Sequence, residues 1–269
     1  MIGYAMIYDG RIILAAHRGD KKRYPENTMP AFEAALRCGA DMIETDIRMT
    51  RDGELVIIHD QSTLRTTGAD VDVNTATYGE LRALDAGGVF SSEFVGTRIP
   101  AVTELIELIK DTDMLINWEL KDYPCTVGEE LSFRLADKLI ELIHKHGIAD
   151  RSMINSFSDR QLEYVHLKYD GEFTIHGQGI AACARSKDEA RIPREQLYDW
   201  CCLYPNVKGG TPLEYPENFK YCTDRGILPC VCVPDTAESY KQYIDLGCRM
   251  FTSNDILAAD EILRELGKR

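Results

Sequence analysis

MIETDIRMTRDGELVIIHD, residues 42–60, is the stretch on which the fold turns. Successive side chains of a strand point to opposite faces, so Ile43, Thr45 and Ile47 share one face and Met42, Glu44 and Asp46 the other. The apolar face belongs against helices, which leaves two carboxylates looking into the interior of a closed sheet. Asp52-Gly53 is a strong hairpin signal. A tight turn centred there pairs Thr50 with Leu55, Arg48 with Ile57 and Asp46 with His59, and paired residues share a face, so His59 is expected beside Asp46 and Glu44, whereas a three-residue loop would slip the register and remove this pairing.

Outward from this hairpin, short β-rich runs alternate with helical patterns. ILAAH (13–17), MIETDIRM (42–49), MLINWELK (114–121), SMINSF (152–157), FTIHG (173–177), WCCLY (200–204), LPCVCV (228–233) and RMFTS (249–253) are candidate strands. Between them lie segments of helical spacing, among them PAFEAALRCG closed by Gly39 and EELSFRLADKLIELIHKHG closed by Gly147. β-then-α alternation over 269 residues predicts one (β/α)8 TIM barrel spanning 1–269. Its weakest part is 178–221, which is proline-bearing and poorly periodic. Residues 54–100 break the alternation and read as an insertion over the C-terminal barrel mouth.

Strand MLINWELK sends Asn117, Glu119 and Lys121 inward, and His17 ends the first strand at the same level. Active sites of such barrels lie on this C-terminal rim. Three crowded carboxylates repel one another, so a cation is expected among them, and an all-oxygen set suits Mg²⁺ or Ca²⁺ better than Zn²⁺. Such an ion could hold a phosphoryl oxygen while Arg18 and Lys121 steady the others, and two histidines could share proton transfer. The chemistry expected is phosphodiester cleavage. PENT (25–28) reads mainly as a helix start, with Asn27, Thr28 and Pro30 in that role and Glu26 or Asn27 as the lesser candidates to touch the site. His144, His146 and His166 read as surface residues of helices, and His176 ends a strand where it could line a pocket.

Composition narrows the partners. The chain has 31 Lys plus Arg against 44 Asp plus Glu, a formal net charge of −13, which disfavours nucleic acid and anionic membranes. The opening MIGYAMIYDGR is not a secretory h-region, and no apolar run approaches the ~20 residues of a membrane span, so a soluble cytoplasmic protein is expected, without stable membrane insertion. Nine cysteines without a C-x-x-C read as reduced, buried thiols rather than disulfides or a zinc site.

His17-Arg18-Gly19, PENT, GADMIETDIRMTRDGELVIIHD, LRTTG and WELK, in this order, resemble the glycerophosphodiester phosphodiesterases. The resemblance is strongest over 13–68 and at 114–121, fair around SFSD (156–159) and thin beyond. It implies a (β/α)8 fold and a divalent metal held by Glu44, Asp46 and Glu119, with acid–base roles for His17 and His59. It also implies a route in which a glycerol hydroxyl attacks phosphorus, expels the alcohol and leaves a cyclic phosphate that water opens to glycerol 3-phosphate. The family's usual W-T-V-N and T-D-x-P are replaced here by Cys230-Val231-Cys232-Val233 and FTSND, where the alcohol or glycerol end would be held. Two other readings accompany this one: a lysophospholipase D or sphingomyelinase-D-like lipase, which needs an exposed apolar lip on 54–100 where GADVDVNTATYGE reads as too polar, and a non-catalytic glycerophosphate-binding barrel.

Overall fold

The computed structural model describes residues 10–180, 183–205, 210–232, 234 and 236–269. Most of the opening MIGYAMIYDGR stretch and Val233, the last residue of the expected LPCVCV strand, lie outside the described residues. The strands are β1 (Ile13–His17), β2 (Met42–Met49), β3 (Leu55–Ile57), β4 (Leu115–Leu120), β5 (Ser152–Asn155), β6 (Thr174–Gln178), β7 (Trp200–Cys202), β8 (Leu228–Cys232) and β9 (Met250–Ser253). Eight of them run parallel in the cyclic order β1-β2-β4-β5-β6-β7-β8-β9 and close where β1 pairs with both β2 and β9. β3 is the remaining strand, antiparallel on β2. The expected TIM barrel is present.

Helices lie between the strands: α1 (Met29–Arg37), α2 (Leu64–Thr67), α3 (Tyr78–Arg82), α4 (Val102–Ile109), α5 (Pro124–Val127), α6 (Glu129–His146), α7 (Asp159–Lys168), α8 (Arg194–Leu197), α9 (Pro216–Thr223), α10 (Ala237–Asp245) and α11 (Ile256–Glu265). Their ends follow local chemistry. Ser158 and Asp255 accept from backbone N–H groups of the first turns of α7 and α11, and Gly147 ends α6 in the left-handed conformation at φ 65°. Within 178–221 the units are short, a four-residue α8 and a three-residue β7, which is why their periodicity is faint.

Alternation along the strands sorts the core into two. Ile43, Ile47, Ile116, Trp118 and Leu120 point outward and pack with Phe32, Leu105, Leu135 and Leu139 of the helices. Inside the barrel, Ile13, Met42, Leu115, Met153, Trp200 and Met250 form an apolar floor. Above that floor the interior turns polar, with Glu44, Asp46, Asn117, Glu119, Asn155 and His176 all buried. Fully burying one such aliphatic chain is worth about 1.5–3 kcal/mol, and this outer packing holds the inward acids in place.

The hairpin register differs from expectation by one residue. Met49 pairs with Leu55, Arg48 with Val56 and Ile47 with Ile57. The connection is a three-residue loop, with Gly53 at φ 84° and the Thr50 N–H donating to Glu54 O at 2.9 Å. A left-handed glycine at the third loop position adds the residue that shifts the ladder. Asp46 therefore lies opposite Ile58, whose N–H donates to Asp46 O at 3.0 Å, and not opposite His59.

After β3, residues 58–101 carry α2 and α3 and build, against Val56 of β3, a small core of Ile58, Val73, Ala76, Leu81, Ala86 and Ile99, separate from the two in the barrel.

Candidate active site

The apolar run of β1 stops at His17 because the chain turns sharply there. Arg18 adopts φ 59° and Gly19 φ 81°. A Cβ on Gly19 would come within 2.7 Å of the Ala31 backbone, so only glycine fits. The turn is fixed to β2, with Arg18 N–H donating to Glu44 O at 2.9 Å and lying 3.1 Å from Glu44 Oε2. His17 and the Arg18 guanidinium are thereby brought to the end of β2.

Glu44 and Asp46 rise from β2 and Glu119 from the neighbouring β4, where it is the register partner of Asp46. One carboxylate oxygen from each lies within 4.8 Å of the others, and all three residues are buried. Burial raises the Glu44 pKa well above the usual range, and the charges of Asp46 and Glu119 raise it further. Burial also works to raise Asp46, but Lys121 and Arg18 outweigh it and hold it below the usual aspartate range. Asp46 Oδ1 accepts no hydrogen bond among the described residues. A buried carboxylate oxygen without a donor, inside an all-oxygen set whose mutual repulsion is incompletely offset, fits a hard divalent cation.

The two cations expected to meet phosphate sit against these acids. Lys121 Nζ donates to Glu119 Oε1 at 2.5 Å and lies 3.5 Å from Asp46 Oδ1. Burial disfavours its charge, but Glu119 and Asp46 more than compensate and raise its pKa. Arg18 Nε lies 3.2 Å from Asp46 Oδ2 without hydrogen-bond alignment, while its Nη1 donates to Glu26 Oε1 at 2.9 Å.

Both histidines are held through Nδ1. His17 Nδ1 lies 2.7 Å from Asn254 Oδ1. An amide oxygen only accepts, so the proton sits on Nδ1 and leaves Nε2 bare, 3.9 Å from Glu44 Oε2. Burial, with Lys21 and Arg18 nearby, lowers the His17 pKa to about 3. His59 Nδ1 lies 2.6 Å from Asp60 Oδ1. Its backbone oxygen accepts from Arg48 Nε at 3.0 Å, and Arg48 is in turn anchored on Asp122. That clamp, rather than ladder pairing, brings His59 to the acids. Burial lowers its pKa, with Asp46 opposing.

The lesser reading of PENT holds: Asn27 Nδ2 donates to Asp46 Oδ2 at 2.7 Å, so the motif does more than start α1. Arg65 and Asn254 are not singled out by the sequence. Arg65 donates to Asp60 Oδ2 at 2.5 Å and to both oxygens of Glu26, closing a chain of alternating charges from Asp46 through Arg18, Glu26, Arg65 and Asp60 to His59. Arg18 and Arg65 overcome the effect of burial and lower the Glu26 pKa to about 2. Adjacency of His59 and Asp60 was the available signal; nothing local marks Asn254. The FTSND ending therefore bears first on His17 and not only on a substrate alcohol.

A cavity of about 190 Å³ opens onto this arrangement, lined among others by His17, Arg18, Glu44, His59, Glu119 and Lys121. His176 lines it too, as its place at the end of a strand suggested. His144 is exposed and His146 and His166 are half-buried, all on helices. Tyr204 lines the cavity with its hydroxyl donating to Gln178 Oε1 at 2.6 Å, whereas Trp200 is packed in the barrel floor.

Comparison with known proteins agrees with this geometry. Residues 17–256 match the family model of the glycerophosphoryl diester phosphodiesterase family. The chain is 42% identical to a glycerophosphodiester phosphodiesterase of Caldanaerobacter subterraneus subsp. tengcongensis over 262 residues, covering 96% of this chain and all of that one. A glycerophosphodiester phosphodiesterase of Bacillus altitudinis is 40% identical over 156 residues, 56% of this chain and 60% of the relative. Among solved structures, a phosphodiesterase of Oleispira antarctica, in complex with the product sn-glycerol-3-phosphate, superposes with TM-score 0.81 at 21% identity, covering 96% of this chain and 99% of that one.

Proposed function

Because the chain belongs to the glycerophosphoryl diester phosphodiesterase family and is a phosphodiester hydrolase, we propose that it splits glycerophosphodiesters into glycerol 3-phosphate and an alcohol with one divalent cation, Mg²⁺ or Ca²⁺, on Glu44, Asp46 and Glu119. The observation that carries this reading is the pair of Nδ1-anchored histidines lining one cavity with Glu44 and Glu119, two members of the three-acid cluster. When bound, the cation supplies positive charge that offsets the acids and draws in a phosphoryl oxygen. Arg18 and Lys121 hold the remaining phosphoryl oxygens, each exchanging part of its present ion pair for the substrate.

The Nδ1 partners divide the proton transfers. Asn254 is neutral, so it fixes the tautomer of His17 without favouring imidazolium, and His17 serves as base through Nε2. Asp60 is anionic and favours a protonated His59, which serves as acid. In the first step the neighbouring glycerol oxygen bonds to phosphorus as its proton passes to His17. The bond from phosphorus to the head-group oxygen breaks, and that oxygen takes a proton from His59. Water then opens the cyclic phosphate with the two histidines exchanging roles, which returns both to their starting states.

Release of glycerol 3-phosphate from a panel of glycerophosphodiesters, with and without chelator, tests the reading. Turnover should stop in chelator and return with Mg²⁺ or Ca²⁺; no turnover of any head group with either ion refutes it. All nine cysteines are free, and among the described residues no helix is long and apolar enough to cross a membrane. Both facts support a cytoplasmic location.

One observation favours a lipid-directed second reading. Of six large apolar side chains exposed among the described residues, Leu64, Val89, Phe90 and Val95 lie on the 58–101 insertion. Val89 and Phe90 line a cavity of about 400 Å³ shared with Lys21, Pro25, Arg65 and Asn254, which supports placing the insertion beside the mouth. This is the apolar lip that lysophospholipid cleavage requires. Phe90→Asp should then cost activity on a lysophospholipid while sparing glycerophosphocholine; equal effects on both exclude the lipid reading.

A further inference from the structure

On the strands across the barrel from β1 and β2, three other side chains converge that the phosphodiesterase reading does not use. His176 stands on β6, Cys202 on β7 and Cys230 on β8, and Cys202 and Cys230 are register partners on adjacent strands. One ligand atom from each lies within 4.8 Å of the others, and all three residues are buried. His176 Nε2 lies 3.1 Å from Cys230 Sγ. We propose that these residues form a second metal site, distinct from the acidic one, that takes a thiophilic divalent cation of the Zn²⁺ class.

The donor chemistry separates the two sites. Two thiols and one imidazole are the ligands that borderline-soft cations select, whereas the three carboxylates of the acidic site suit hard ones. Three protein ligands complete a tetrahedral set only with a fourth group. His176 and Cys202 line the cavity, so the fourth position faces solvent and substrate.

The surroundings are prepared as well. Asn117 Nδ2 lies 3.0 Å from His176 Nδ1, and the amide oxygen Oδ1, fully buried, has no hydrogen-bond partner among the described residues. Rotating that amide by half a turn places the orphan oxygen on His176 Nδ1–H and leaves Nε2 bare beside Cys230, the tautomer a metal ligand needs. The two thiols share one buried site, in which the Cys230 thiol and His176 favour the Cys202 thiolate while burial keeps Cys230 protonated. Binding then releases the remaining thiol proton or protons to solvent as the S–metal bonds form. The replacement of the seventh barrel strand's usual residues by CVCV is what brings Cys230 here, and it revises the expectation that these cysteines are only packing groups.

Cd²⁺ added to the chelator-stripped full-length protein tests the site, because thiolate ligation gives an ultraviolet charge-transfer band that carboxylate ligation does not. One equivalent should saturate the band, and it should be lost in Cys202→Ser and Cys230→Ser but kept in Cys125→Ser. Glu119→Gln should keep it, which separates this site from the phosphodiesterase reading. As a check independent of variant folding, excess Zn²⁺ should displace Cd²⁺ from the unaltered protein and abolish the band, whereas Mg²⁺ should not. Absence of the band, a band indifferent to both serine changes, a band unmoved by Zn²⁺, or a Cys202–Cys230 disulfide in the isolated protein overturns the proposal.

Discussion

His17 Nδ1 and Asn254 Oδ1 meet at 2.7 Å across 237 residues of chain, the first barrel strand tied to the loop after the last. Asn254 touches no acid of the cluster by hydrogen bond, so its effect on chemistry passes through the imidazole. Asn254→Ala should lower kcat about 10–100-fold with KM nearly unchanged. Asn254→Asp should keep the orientation and move the acid limb of the pH–rate profile upward, because a carboxylate favours imidazolium. Steady-state kinetics across pH decides it, and an unmoved limb in Asn254→Asp removes the proposed link.

The low pKa of His17 carries a stability signature. The folded state holds the ring neutral down to about pH 3, whereas an unfolded histidine takes up a proton near pH 6.5. Its contribution is therefore complete above pH 6.5 and is lost as the pH falls from 6.5 towards 3. In chelator, His17→Gln should show a shallower decline over pH 6.5–4, by about 1.4 kcal/mol per pH unit. Urea midpoints measured across that range test it; parallel curves would place the buried charge elsewhere.

If His59 is the acid, the need for it depends on the leaving group. His59→Ala should nearly abolish cleavage of glycerophosphocholine, yet retain far more activity on a p-nitrophenyl ester of glycerol phosphate, whose phenolate leaves without a proton. Asp60→Asn should follow the same pattern more weakly. Equal losses on both esters would assign His59 some other role.

Cation binding should stabilise the chain because it relieves the repulsion that raises Glu44. At one hundred times the dissociation constant the gain is about 2.7 kcal/mol, readable as a rise in Tm. Glu119→Gln should remove most of this rise and raise the metal concentration needed for half-maximal turnover. A wild-type Tm indifferent to Mg²⁺ and Ca²⁺ would leave the acidic cluster without its proposed occupant.

How far the sequence revealed this site depended on the range of the interactions. Glu44, Asp46 and Glu119 were legible because strand alternation is local and the isoleucines opposite them fix which face is inside. His17-Arg18-Gly19 was legible as a turn, but the reason for glycine, the approach of Ala31, was not. The hairpin register was missed because Asp52-Gly53 fits two-residue and three-residue loops alike, and the left-handed Gly53 belongs to the longer one. Asn27 was taken for a helix-start residue because its neighbours Thr28 and Pro30 suffice for that; its bond to Asp46 depends on how α1 docks. Asn254 and Arg65 act through side chains that meet only after the barrel closes and the insertion folds back.

Two glycines with similar backbone conformations should respond differently to the same change. Gly19→Ala combines φ 81° with a 2.7 Å clash against the Ala31 backbone and should cost about 2–3 kcal/mol. Gly39→Ala, at φ 77° with open space around it, should cost about 1 kcal/mol. Denaturant titrations of the two variants compare them directly; equal costs would mean that the loop after β1 yields readily.

Residues 58–101 carry a core that shares no residue with the barrel's own. Substitutions around the exposed Val89, Phe90 and Val95 leave the staves that aim the acids alone, so under the roles proposed above head-group selectivity can drift there while His59, Asp60 and Arg65 at the start of the segment stay constant. A breeder of new specificities would exchange residues 86–98 between relatives and keep 58–65 as they are.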